Sequence, residues 1–100
     1  MINIQFNYLY RDGANYKQFG SVVFTNLQKL SIEFINEIIS ERLIDSLWFY
    51  ATRWGLKDLH HFDWDDEIDH MLHEYEDVEL TNEEPTNGDI ADFLQLIKSH

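Results

Sequence analysis

Ile2-Asn3-Ile4-Gln5-Phe6-Asn7-Tyr8-Leu9-Tyr10 decides the fold. Ile2, Ile4, Phe6, Tyr8 and Tyr10 alternate with Asn3, Gln5, Asn7 and Leu9. This is the period of two expected of a half-buried strand, whose successive side chains point to opposite faces. Arg11-Asp12-Gly13-Ala14-Asn15 then supplies residues that tolerate positive φ, and Phe19 to Thr25 returns to β-forming sequence through Val22, Val23 and Phe24. The N-terminal stretch therefore reads as an antiparallel hairpin with a connection longer than the tightest turns.

Beyond the hairpin the period changes. Ser31 has the position of an N-cap, with Leu30 and Ile35 placed for a hydrophobic staple. Ile32, Ile35, Ile38, Ile39 and Leu43 then fall on one side of a helix predicted over 32–44. Leu47-Trp48-Phe49-Tyr50-Ala51 is short and aromatic and reads as a third strand, and 57–69 has no period and reads as a surface loop. Ile68, Met71, Leu72 and Tyr75 match a helical template, whereas Tyr75 to Leu80 looks like an acidic strand. A strand over 71–80 is favoured, because it gives the sheet a fourth member. Asn82 to Gly88 is loop by composition, Thr86 and Asp89 have capping-box spacing, and Ile90, Phe93, Leu94 and Ile97 make the stripe of a closing helix that ends near Lys98. The expected fold class is α+β, in the order ββαββα. It is an antiparallel sheet of about four strands with two helices packed on one face, forming a single domain over 1–100.

Composition narrows the function. The chain is 44% hydrophobic and 15% aromatic, enough to build a core despite a net charge of −12. It has no cysteine, so neither a redox pair nor a thiolate zinc site can form. The N-terminus lacks the basic start and apolar run of a signal peptide, and no stretch approaches the roughly 20 apolar residues of a membrane span. A cytoplasmic protein is expected. Charge is unevenly placed: residues 1–57 carry +1, and residues 58–100 carry one lysine against fourteen carboxylates, or −13. Such a half repels phosphate and anionic lipid, which argues against direct contact with nucleic acid or membrane and in favour of a basic partner or a cation. The plainer reading is a solvated acidic face that maintains solubility.

Tyr8-Leu9-Tyr10-Arg11-Asp12-Gly13-Ala14-Asn15-Tyr16-Lys17, with Trp54-Gly55-Leu56 and Asp58-Leu59-His60, resembles a group of small acidic uncharacterised bacterial proteins. The likeness extends over most of the chain and implies a recurring single domain. It brings no activity, cofactor or catalytic residue with it.

The chemistry-bearing clusters weigh against catalysis. His60, His61, Asp63, Asp65, Asp66, Glu67, Asp69, His70, His73 and Glu74 are ligand types for zinc or manganese. Asp66, His70, His73 and Asp77 would share a face only in a helix, and His70-x-x-His73-Glu74 matches no metallopeptidase motif. The serines sit on expected strands, caps or the terminus, away from any nucleophile elbow, and Gly13 and Gly20 are isolated. Arg11, Lys17 and Arg53 with Tyr8, Tyr10 and Tyr16 could form a small basic and aromatic patch for a nucleotide; packing of the tyrosines on one hairpin face is the plainer account.

The better lead pairs carboxylates with aromatic anchors. Trp54, Phe62, Asp63, Trp64, Asp65, Asp66, Glu67 and Asp69 are the expected partner-binding residues, with the aromatics as anchors and the acids steering a basic surface. The reading is a non-enzymatic, cofactor-free acidic module, such as a phage-type anti-defence inhibitor of a nucleic-acid-binding protein. The alternative is a metal-binding protein or metal-dependent enzyme using His60, His61, His70 and His73.

Overall fold

The computed structural model describes residues 2–60 and 72–99. Its elements are β1 (Asn3–Arg11), β2 (Lys17–Phe24), α1 (Ile32–Glu41), β3 (Trp48–Tyr50), a 3₁₀ turn (Ala51–Trp54), β4 (Leu72–Thr81) and α2 (Ile90–Lys98). The four strands form one antiparallel sheet in the order β2-β1-β4-β3. The sheet curls into a half-barrel, a closure that the expected α+β sheet did not include.

The alternation in β1 does what its sequence requires. Ile4, Phe6, Tyr8 and Tyr10 are all buried. The first three join Phe24, Phe49, Trp54 and Val78 in one core, together with Ile35 and Ile39 of α1 and Ile90, Phe93, Leu94 and Ile97 of α2. The hairpin connection is held by Asp12, whose Oδ1 accepts from the amides of Ala14 and Tyr16, both at 2.9 Å, while Asn15 takes φ +69°.

A β-bulge explains the ambiguity of the fourth strand. Asn7 pairs with Asp77 but Tyr8 pairs with Tyr75, so Glu76 has no opposite number on β1. Along β4, His73 and Tyr75 are inward before the bulge and Val78 is inward after it. One extra residue thus lets an acidic stretch interrupt the apolar face without burying a carboxylate.

Three expected boundaries are corrected. The first helix ends at Glu41, short of 44, because Ile44 leaves it to bridge Trp48 in both directions (Ile44 N–H to the Trp48 carbonyl, 2.7 Å; Trp48 N–H to the Ile44 carbonyl, 3.0 Å). Asp45 and Ser46 make that tight turn with φ +51° and +60°. The third strand is shorter than 47–51, since Ala51 starts the 3₁₀ turn, which Gly55 closes at φ +71°. The closing helix is capped by Asp89, not Thr86. Asp89 accepts from Ala91 N–H at 3.0 Å, while Thr86 is drawn to the edge of β2, where its hydroxyl accepts from Val23 N–H at 3.0 Å. The Ser31 cap is as expected, accepting from Phe34 N–H at 3.1 Å. Among the described residues, no helix is long and apolar enough to cross a membrane.

Candidate protein-binding face

The side of β1 turned away from the core carries Gln5, Asn7, Leu9 and Arg11, and the register sets them beside Glu79, Asp77 and Glu74 of β4. A primary amide has two N–H donors and one carbonyl acceptor. Asn7 uses all three: Nδ2 donates to Asp77 Oδ1 at 2.7 Å and to Glu79 Oε2 at 2.8 Å, and Oδ1 accepts from Gln5 Nε2 at 2.8 Å. The amide pair therefore holds two carboxylates side by side and oriented, leaving their remaining lone pairs toward solvent.

Among the described residues, neutralisation is confined to one end of this row. Arg11 forks onto Glu74, Nε to Oε2 at 2.7 Å and Nη2 to Oε1 at 3.3 Å. Among the described residues this is the one ion pair between a carboxylate and a lysine or arginine. Glu76, Asp77, Glu79, Glu83 and Glu84 are exposed along the strand and the turn that follows it. Asn3 Nδ2 donates to the Glu83 carbonyl at 2.9 Å and ties that turn back to β1. Tyr75, behind the row, donates to Asn36 Oδ1 of α1 at 2.7 Å; burial first, then the Asp77 carboxylate, pushes its phenol well above the usual range.

On the inner face, 57–60 crosses the ends of β1 and β4. Tyr8 donates its hydroxyl to the Lys57 carbonyl at 2.8 Å; burial and then Asp58 raise its pKa. Leu59 N–H donates to His73 Nε2 at 3.0 Å, and the Leu59 side chain lies over Gly20. His73 is 1% exposed, with Asp58 Oδ1 at 3.4 Å from the same nitrogen. A nitrogen that accepts an N–H bond has committed its lone pair and cannot ligate a metal at the same time. Among the described residues no three His, Asp or Glu side chains are grouped to hold a metal ion; His61, His70 and Asp63 to Asp69 lie outside them.

Of the expected partner-binding residues, the structure describes Trp54 alone. It is 4% exposed and stacked on Phe49 at 4.5 Å and 17°, so it stands in the core and not on the surface. Phe62, Asp63, Trp64, Asp65, Asp66, Glu67 and Asp69 lie outside the described residues. The basic and aromatic patch does not converge: Tyr8 and Tyr10 are buried, Arg11 is bound to Glu74, and Arg53 lies over Tyr50 at 4.4 Å. Sequence reasoning missed Gln5 and Asn7 as functional candidates. The signal was there, two amides on the polar side of β1, but only strand register shows which carboxylates they reach.

No family model, curated protein or solved structure matches this chain. The fold and its outer face define an α+β domain that presents oriented carboxylates from a central strand.

Proposed function

We propose that the protein is a non-enzymatic binding module that docks its acidic C-terminal half onto a basic surface of a partner protein. The Asn7 bridge between Asp77 and Glu79 carries this reading. Carboxylates already oriented lose less conformational freedom on meeting arginine or lysine, and the charge-assisted bonds they accept are the strong ones. Their uncompensated charge steers a basic partner and repels nucleic acid and anionic lipid. The reading also assigns partner binding to Asp63, Asp65, Asp66, Glu67 and Asp69, with Phe62 and Trp64 as anchors.

The most concrete form is an inhibitor or regulator of a cytoplasmic nucleic-acid-binding protein, of the phage anti-defence kind, whose carboxylates compete with phosphates for the same cations. The test is to recover the partner from the native host and measure its association with the wild type and with the Asp77→Lys, Glu79→Lys double variant. Steering predicts association slowed by about tenfold or more at low salt, and a wild-type rate that falls as salt rises. The inhibitor form further requires that the wild type displace nucleic acid from that partner. Unchanged kinetics in a folded double variant would reduce the face to a solubility device.

A further inference from the structure

Among the described residues, β2 lies at the edge of the sheet and pairs only with β1. Successive residues of an antiparallel strand turn their N–H and C=O groups alternately toward and away from the neighbour. Val23 and Thr25 set the phase. Val23 N–H donates to Thr86 Oγ1, and its carbonyl accepts from the amides of Thr86 and Asn87 at 2.8 and 3.0 Å. Thr25 donates to the Gly88 carbonyl and accepts from Ile90 N–H, both at 2.8 Å. Lys17, Phe19 and Ser21 therefore also turn their main-chain groups outward, and no described residue bonds to them there. The chain's own 86–90 segment covers the edge from Val23 onward, and the hairpin turn closes its other end. Among the described residues Lys17–Ser21 is left open between them, with Phe19 at its middle and 65% exposed.

We propose that this open edge is a self-association surface, on which β2 of one copy pairs antiparallel with β2 of a second. The two bounds fix the register: pairing over the whole free length places Phe19 opposite Phe19, Lys17 opposite Ser21 and Gln18 opposite Gly20. Every outward N–H and C=O group of the stretch is then satisfied, no like charges face each other, and two exposed phenylalanine rings meet. Charge points to a second copy at this edge rather than elsewhere. Residues 1–57 carry +1, whereas the acidic row lies on β4, beyond β1. At about 4.8 Å per strand the two acidic rows of such a dimer stand roughly 24 Å apart. That is about three Debye lengths at physiological salt but less than one at about 0.01 M.

The protein alone provides the test, which separates this surface from the proposed docking face. In sedimentation equilibrium it should show a monomer–dimer equilibrium that tightens as salt is raised. Amide exchange at Phe19 and Ser21 should slow with protein concentration, while Gly20 and Val22, bonded to β1, stay protected throughout. Ser21→Pro removes an outward donor without touching the β1 ladder, and Phe19→Lys sets like charges face to face; each should weaken the dimer by about tenfold or more. If Ser21→Pro does not fold, Phe19→Lys, which alters only an exposed side chain, decides. A chain that stays monomeric at millimolar concentration and high salt overturns the proposal, as does a dimer that leaves the Phe19 and Ser21 amides unprotected or survives Phe19→Lys undiminished.

Discussion

Phe6→Ala tests the core at the point where most of the fold meets. Phe6 is fully buried, and its ring centroid lies 5.3 Å from Tyr75, 5.4 Å from Phe93, 5.7 Å from Tyr8, 5.9 Å from Phe49 and 6.5 Å from Trp54. Truncating a buried phenylalanine costs about 3–5 kcal/mol, more where the walls cannot collapse into the space. Here the walls belong to β1, β3, β4, the 3₁₀ turn and α2, and no single movement fills the void, so the upper half of that range is expected. Against a total stability of about 5–15 kcal/mol, the variant should be marginal. Its melting temperature should fall by on the order of 20 °C, at about 4–8 °C per kcal/mol for a domain of this size. Urea unfolding followed by circular dichroism measures the loss. A loss below about 1 kcal/mol with an unchanged urea slope would refute the convergence of five rings on this residue.

Two further outcomes concern the second half of the chain. Asp89→Ala should cost about 1–2 kcal/mol, because the carboxylate caps α2 and also accepts from Thr25 Oγ1 at 2.8 Å and Leu27 N–H at 3.0 Å. Burial works to raise the pKa of Asp89, but the bonds from Leu27, Thr25 and Ala91 outweigh it and hold the carboxyl below its usual range. A lowered folded pKa gives stability that is complete above the unfolded value, about 3.9, and is lost as pH falls through the folded one. The gap in urea midpoint between wild type and variant should therefore be constant from about pH 7 to 5 and close below about pH 4; a gap that persists at about pH 2 would mean that the carboxylate charge is not its source. Trp54→Ala should destabilise by about 3–5 kcal/mol, as a core truncation does. A variant that melts with the wild type yet loses the partner would return Trp54 to the binding surface.

The parts of the fold that were legible in the sequence are those governed by local periodicity. Ile4, Phe6, Tyr8 and Tyr10 of β1 are buried as read, while Ile2, which precedes the strand, is exposed. Ser31 and the Ile35/Ile39 stripe mark α1 because cap and stripe are both local signals. What was misread depends on contacts between distant residues. Thr86 has the right spacing for a cap, but the open edge of β2 offers it Val23, more than sixty residues earlier in sequence. Nothing in 82–89 alone tells Thr86 from Asp89 as the cap. The helix-or-strand ambiguity around Tyr75 has a definite cause: the bulge at Glu76 shifts the inward set from odd to even positions, so neither a period of two nor one of 3.6 fits the whole segment. The half-barrel is likewise unreadable, since curl accumulates from twist and bulges across the sheet.

The candidate face was legible as an amount of charge and not as an arrangement. Fourteen carboxylates in 58–100 announce an acidic half, but a count does not separate Glu74, bound by Arg11, from Asp77 and Glu79, bound by an asparagine. The difference matters physically. An arginine neutralises the carboxylate it orients, whereas an amide orients two carboxylates and leaves both charges in place. Asn7 thus does for the proposed face what a cation in that position could not. The strand order adds a further consequence. The Lys17–Ser21 edge and the Asp77/Glu79 row lie on opposite sides of β1, so pairing through one leaves the other uncovered. The two proposed surfaces also respond to salt in opposite senses, because one must overcome repulsion between like copies and the other exploits attraction to an unlike partner. A dimer would offer two acidic rows to a partner and gain affinity through the second contact without any new interaction, provided the partner's basic sites match the spacing of the rows.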